Sequence, residues 1–170
     1  MKKTVVCVLT GAALLSGSKN AALPEKDIDG TIFLVNRQHV ISEQYVPEPL
    51  RKTQVYGMSQ SMREDAATAL EELFQAAQAD GIKLSSVSGY RSYSKQSLLY
   101  DRKTKRTGSE TEADKLVARP GTSEHQLGLA MDLATRNSST LSERFASTPE
   151  GQWVYANCQR VGFIVRYLKG

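Results

Sequence analysis

Apolar side chains recur at Met62, Ala66, Leu70, Leu73, Phe74 and Ala77, the spacing that lines one face of a helix. Ser61-Met62-Arg63-Glu64 heads this run as a capping box, in which serine and glutamate reciprocally satisfy backbone donors. Asp80-Gly81 closes it, the glycine suiting a left-handed cap. Residues 82–88 then predict a strand that delivers Gly89-Tyr90-Arg91 to a sheet end. Ser94 caps a second predicted helix carrying Gln96, Leu98 and Leu99, and residues 104–109 read as polar loop. A short helix is expected over 112–118, stopped by Arg119-Pro120-Gly121.

Either side of this central region the pattern is less regular. Residues 31–35 read as a short buried strand, and Pro47 and Pro49 mark irregular chain. Residues 135–140 form a polar turn. Thr148-Pro149-Glu150 opens a further helix with proline at its tolerated first position. Trp153, Ala156, Cys158 and Val161 supply packing, Gly162 ends the helix, and residues 163–167 give a last strand. Short strands mixed with segregated helices predict an α+β fold, and no internal repeat is evident.

The 170 residues fit one domain with a single core. A net charge of +4 and a pI of about 9.1 come without a basic run or basic–aromatic interleaving, so no nucleic-acid partner is expected. Met1-Lys2-Lys3 followed by an uncharged stretch through Leu15 has the form of a secretory signal. That stretch is shorter than the roughly 20 residues a membrane-spanning helix needs. Leu14-Leu15-Ser16-Gly17-Ser18 is similar to a lipoprotein signal with Ser18 at the cysteine position, where a hydroxyl cannot take the lipid. The expected organisation is therefore a signal peptide over 1–22, a linker over 23–30 and one domain over 31–170. The chain would be exported to the periplasm or envelope exterior, free or membrane-associated, with no transmembrane segment in its mature form and a monomeric state. Cys7 falls in the signal, leaving Cys158 as a lone thiol with no internal disulfide.

The densest chemistry lies in Ser123-Glu124-His125-Gln126-Leu127-Gly128-Leu129-Ala130-Met131-Asp132. His125 and Asp132 are seven positions apart, an odd spacing that puts side chains on opposite faces of an unbroken strand. They converge only if the backbone turns between them, and Gly128 permits that turn. Beyond it, Leu129 and Met131 would face a core while Ala130 and Asp132 face the other way. An imidazole and a carboxylate brought together suit zinc; a helix cap or a surface ion pair is the alternative for the same two residues.

Ser123-x-His125-x-x-Gly128-x-Ala130-x-Asp132 resembles the zinc-ligand motif of the D-alanyl-D-alanine carboxypeptidases of the vancomycin-resistance type, which are related to lysostaphin-like enzymes and the hedgehog signalling domain. Ser88-Gly89-Tyr90-Arg91-Ser92 with Gln96 is similar to that family's substrate-binding segment. Gly162-Phe163-Ile164-Val165-Arg166-Tyr167 is similar to the strand after its last helix, and Leu34-Val35-Asn36-Arg37 and Tyr45-Val46-Pro47 to its N-terminal segment. The resemblance implies a small antiparallel sheet with helices, Zn2+ held by His125 and Asp132, and substrate bound by Arg91, Gln96, Ser88 and Ser123. It implies hydrolysis of the C-terminal D-alanine of peptidoglycan stem peptides, as a D,D- or L,D-carboxypeptidase. In the family a catalytic glutamate and a Trp-His pair follow the last strand. This sequence ends at Gly170 with His39 and His125 as its histidines. The resemblance therefore implies a domain lacking its final strand segment, its general base and one ligand, with an unpaired sheet edge. The alternative function is a non-catalytic peptide-binding domain or an inactive truncated member. His39, Cys158, Glu143 and Glu150 could donate to a metal by chemistry, but no spacing aims them at His125.

Overall fold

The fold comes from a computed structural model, which describes residues 6–9, 35, 37–38, 40–138 and 144–166. Helix α1 (Glu64–Ala79) turns Ala66, Ala67, Ala69, Leu70, Leu73 and Ala77 inward. It joins Leu84, Leu127, Leu129, Met131, Leu133, Val154, Cys158 and Phe163 in one apolar core. Each buried leucine or phenylalanine contributes about 1.5–3 kcal/mol relative to exposure, so this helix face anchors the elements around it.

The capping box does not form. Ser61–Arg63 is a strand, β3, which pairs antiparallel with β2 (Leu50–Lys52) and sets Lys52 opposite Ser61. That pairing fixes Ser61 in extended backbone, and its carbonyl accepts the Tyr90 N–H at 2.7 Å. Helix α1 starts two residues later, without a side-chain cap from Arg63. Its leading amides find Pro49 O, 3.0 Å from Glu64 N, and Asp65 Oδ1, 2.8 Å from Ala66 N. Tertiary hydrogen bonding has overridden a local signal.

Four strands form the main sheet: β1 (Val6–Leu9), β4 (Leu84–Ser88), β5 (Ala130–Thr135) and β6 (Phe163–Arg166). Their order is β4-β5-β1-β6, with every neighbour antiparallel. Ser86 lies opposite Leu133 and Ser88 opposite Asp132, with an irregularity between them. In this order β4 and β6 are the outer strands, and β6 has β1 on one side and no strand on its outer side among the described residues. Val6–Leu9 was assigned above to the export signal; the rest of 1–22, the linker over 23–30 and most of the strand expected over 31–35 lie outside the described residues. No helix among the described residues is long and apolar enough to cross a membrane.

Three further α-helices complete the described fold. Helix α2 (Tyr93–Thr107) is capped by Ser92, whose hydroxyl accepts Lys95 N–H at 3.3 Å, rather than by Ser94. It runs through most of the predicted 104–109 loop and ends on Gly108. Helix α3 (Glu110–Asp114) starts earlier than expected because Ser109 caps it. Thr148 caps α4 (Pro149–Asn157) through Gly151 N–H at 3.1 Å, and a 3-10 turn over Cys158–Val161 leads through Gly162 into β6.

Gly151 sits inside α4, yet a Cβ there would lie 2.0 Å from the Phe145 carbonyl oxygen. Alanine normally improves a helix by about 1 kcal/mol over glycine. Here we expect Gly151→Ala to destabilise by about 1–3 kcal/mol, the usual cost of overpacking. Urea unfolding checks this; a rise in stability would contradict the close approach.

Candidate active site

Residues Glu124–Leu127 make a 3-10 turn, and Gly128 follows with φ of 71°. A Cβ at Gly128 would lie 3.1 Å from Arg63 N and from Pro47 Cγ, and 3.2 Å from Leu50 Cδ2, so the left-handed turn is pressed against the β2–β3 hairpin. The Gly128 carbonyl accepts Arg63 N–H at 2.8 Å. Leu129, Met131 and Leu133 then enter the core while Asp132 turns the other way.

His125 Nε2 lies 3.5 Å from Asp132 Oδ1, with both side chains buried. His125 Nδ1 is 2.8 Å from the Gly89 carbonyl oxygen. A carbonyl can only accept, so Nδ1 carries a proton, and in the neutral imidazole the lone pair is then on Nε2, the nitrogen that faces Asp132. The 3.5 Å gap exceeds an ordinary hydrogen bond. Two ligands at about 2.0–2.1 Å from a tetrahedral zinc are about 3.4 Å apart. The donor types, the tautomer and the spacing therefore fit two ligands of one zinc ion. Among the described residues no third His, Cys, Asp or Glu joins them. Cys158 is buried in the core, Glu150 lies in the first turn of α4, and His39 and Glu143 lie outside the described residues.

Arg91 follows the β4 end, and its backbone N–H donates to the His125 carbonyl at 3.1 Å. Its guanidinium donates to Ser88 Oγ at 2.9 Å and to Gln96 Oε1 at 2.8 Å. Burial pulls the Arg91 pKa below its ordinary value, and the negative charge of Asp132 opposes that shift. Gln96 is only 1% exposed, with Nε2 donating to the Ala118 carbonyl at 2.6 Å. Both ends of its amide are thus committed, and it aims Arg91. Ser88, Arg91, Gln96, His125 and Asp132 are linked by these contacts and by the β4–β5 register. Ser123 is buried at the head of the 3-10 turn, where its side chain caps nothing.

Two further residues were not singled out from the sequence. Gln60 accepts Gly89 N–H through Oε1 at 3.1 Å, holding the loop whose carbonyl orients His125. Glu124 pairs with Arg166 at 2.9 Å, tying the 3-10 turn to β6. Burial pushes the Glu124 carboxyl up, while Arg166 and then His125 pull it down. Adjacency to His125 was the available signal for Glu124; Gln60 had none.

Ala118 is held in turn by charges around Asp114. Arg119 donates to both Asp114 oxygens, at 2.8 and 3.0 Å, Tyr100 OH donates at 2.9 Å, and Arg37 lies 3.6 Å away. Arg119, foremost through these hydrogen bonds, holds the Asp114 carboxyl down to about 2.

With this geometry in place, comparisons with known proteins are specific. The family model described as VanY, D-alanyl-D-alanine carboxypeptidase, matches residues 59–170. The chain is 40% identical over 148 residues to YodJ of Bacillus subtilis (strain 168), whose assignment as a carboxypeptidase is provisional, covering 83% of this chain and 54% of that protein. It is 39% identical over 148 residues to a D-alanyl-D-alanine carboxypeptidase of Enterococcus faecalis (strain ATCC 700802 / V583), covering 81% and 51%. The chain thus spans about half the length of the curated relatives it matches. Among solved structures it is similar to the LdcB LD-carboxypeptidase, with a TM-score of 0.76 at 42% identity over 81% of this chain and 67% of that one. It is also similar to the vancomycin-resistance D,D-pentapeptidase VanY solved with Zn(II), with a TM-score of 0.62 at 35% identity over 78% and 74%.

The Asp114 cluster yields a pH prediction. A carboxylate whose folded pKa is depressed stabilises the fold above its unfolded pKa, and that contribution disappears as pH falls through the folded value. Asp114→Asn should therefore melt lower than the parent at pH 7, with the gap closing as pH falls from about 4 to about 2. Melting temperatures across this range test it; a constant gap would contradict the ion-pair account.

Proposed function

The chain belongs to the D-alanyl-D-alanine carboxypeptidase family, and from that premise we propose that it is a zinc carboxypeptidase domain removing the C-terminal D-alanine of peptidoglycan stem peptides. The observation that carries this reading is the buried His125–Asp132 pair, with Nε2 and Oδ1 3.5 Å apart and His125 Nδ1 turned to the Gly89 carbonyl. In this reading His125 and Asp132 hold the metal. The Gly89 carbonyl keeps the His125 proton on Nδ1, and so keeps Nε2 free to ligate. Zinc bound there supplies polarisation of the scissile carbonyl and a lowered pKa for the attacking water.

Arg91 binds the terminal carboxylate of the peptide, to which a guanidinium offers paired donors. Ser88 and Gln96 hold that guanidinium in place, and Ser123 adds a hydrogen bond near the scissile end. Relatives carry both D-alanyl-D-alanine and LD activities in their names, and the reading takes in either linkage. A second reading rests on Arg91, whose guanidinium Ser88 and Gln96 hold without any metal: the domain binds stem peptides through it without cleaving them. Export, led by residues 1–22, would place either activity at the cell wall; removal of that leader would take β1 with it, leaving the mature domain to β4, β5 and β6 of the main sheet.

Four measurements test these readings. The full chain should retain zinc after dialysis, and His125→Ala should lose it; equal zinc content in both would remove the metal site. D-Alanine release from stem peptides should stop with a chelator and return with zinc. Arg91→Gln should lower kcat/KM by about 10–100-fold, mainly through KM, as expected for losing one charge-assisted contact. Peptide binding that depends on Arg91 without release of D-alanine would establish the second reading. The mass of the chain recovered from the envelope should show cleavage near Ser18 or Ala22; an intact N-terminus there would contradict a removed leader.

A further inference from the structure

Helix α2 concentrates the charge of the chain. It carries five cations, Lys95, Arg102, Lys103, Lys105 and Arg106, against one carboxylate, Asp101. Its net charge is therefore +4, equal to that of the whole chain, and the other residues together are neutral. Four of the five fall within Arg102–Arg106, a cluster too short to read as a basic run along the sequence. The helix closes it up with Lys95. At 3.6 residues per turn, Lys95, Arg102 and Arg106 fall within about 40° of one another and span about 16 Å along the axis. Lys105 flanks this stripe. Lys95, Arg102, Lys105 and Arg106 are all exposed, and none has a carboxylate partner among the described residues. The acids of the adjoining α3 are engaged elsewhere, Glu110 and Asp114 with Arg119 and Glu112 with Lys115.

Lys105 and Arg106 lie in the last turn, where the helix dipole favours them. Lys95 and Arg102 lie outside it, so the dipole does not account for the stripe. Arg102 also stands three and four residues before Lys105 and Arg106, the like-charge spacing that destabilises a helix. An anion lying along the stripe would relieve that repulsion. The stripe has no walls, so it reads charge along a polymer rather than enclosing a small molecule. A lipid surface would need an apolar face as well, yet Leu98 is the one large apolar side chain exposed on α2 among the described residues. Nucleic acid would want aromatic side chains beside the cations. Tyr93 and Tyr100 fall on the opposite side of the helix, and Tyr100 is buried with Arg119 over its ring.

We propose that this face of α2 docks the protein on a phosphodiester-linked polyol polymer of the cell wall, a binding surface separate from the stem-peptide site. The wall setting rests on the export and peptidoglycan readings above; the stripe itself does not depend on them. Guanidinium groups meet phosphate through two parallel donors, and each phosphodiester of such a polymer stays ionised. Glycan carboxyls that carry stem peptides are amides and offer no charge. The stripe begins at Lys95, four residues after Arg91, and runs away from it towards Gly108. Polymer bound there keeps the Arg91 end of the helix at the wall without occupying it.

The test uses the full chain and immobilised polyglycerol phosphate, which holds no peptide to cleave. The parent should bind it, less tightly as salt is raised and the exposed charges are screened. Arg102→Gln with Arg106→Gln, a change that keeps helix propensity, should weaken binding about tenfold or more. Lys52→Gln with Lys83→Gln removes the same charge elsewhere and should stay within twofold of the parent. So should Arg91→Gln and His125→Ala, whatever becomes of D-alanine release. Equal binding by the parent and the α2 variant would overturn the proposal, as would an equal loss in the variant at Lys52 and Lys83. Tighter binding to phosphatidylglycerol vesicles, to single-stranded DNA or to a polyuronic acid at equal charge would also overturn it.

Discussion

The left-handed turn at Gly128 governs where the chemistry of this chain falls. It converts a 3-10 turn carrying His125 into a strand carrying Asp132, and folds the two side chains to the same place. A side chain at this position would meet the Arg63 backbone and the Pro47 and Leu50 side chains, all within 3.2 Å, in a conformation that L residues rarely adopt. The contacts also explain why the turn stays put. Gly128 is bonded to β3 through its carbonyl, and the His125 carbonyl accepts from both Gly128 N–H and Arg91 N–H. Hairpin, turn and the loop after β4 therefore move as one piece.

Around that piece, a partly buried guanidinium is held close to a buried carboxylate. Burying charge is costly unless hydrogen bonds compensate. Arg91 has Ser88 and Gln96 as compensation, and Gln96 is itself fixed by Ala118. Asp114 and its cationic partners steady the segment that carries Ala118. The result is a cation aimed in advance, so that little ordering remains when an anionic group binds. The same logic runs through the imidazole, whose orientation is set by a backbone carbonyl held by Gln60.

Much of this was legible locally. The face of α1, the proline start of α4 and the need for a bend at Gly128 follow from spacing and from backbone freedom, which neighbours in sequence determine. The motif around His125 pointed to the family, and the family match over residues 59–170 bears that out. What the sequence concealed was set by distant partners. Ser61 lost its capping role because β2 claims its backbone. Ser92 capped α2 in place of Ser94, a difference of two residues that only the path out of β4 decides. Gln60 and Arg166 reach the site across long stretches of chain, as does the pairing of Val6–Leu9 between β5 and β6.

The most direct check on the whole account is a zinc-edge anomalous difference map from crystals of the full chain grown with zinc. The account predicts a peak about 2.0–2.2 Å from both His125 Nε2 and Asp132 Oδ1, with His125 Nδ1 still bonded to the Gly89 carbonyl. A map with no peak between these two atoms, and with Nε2 hydrogen-bonded directly to the carboxylate, would contradict it.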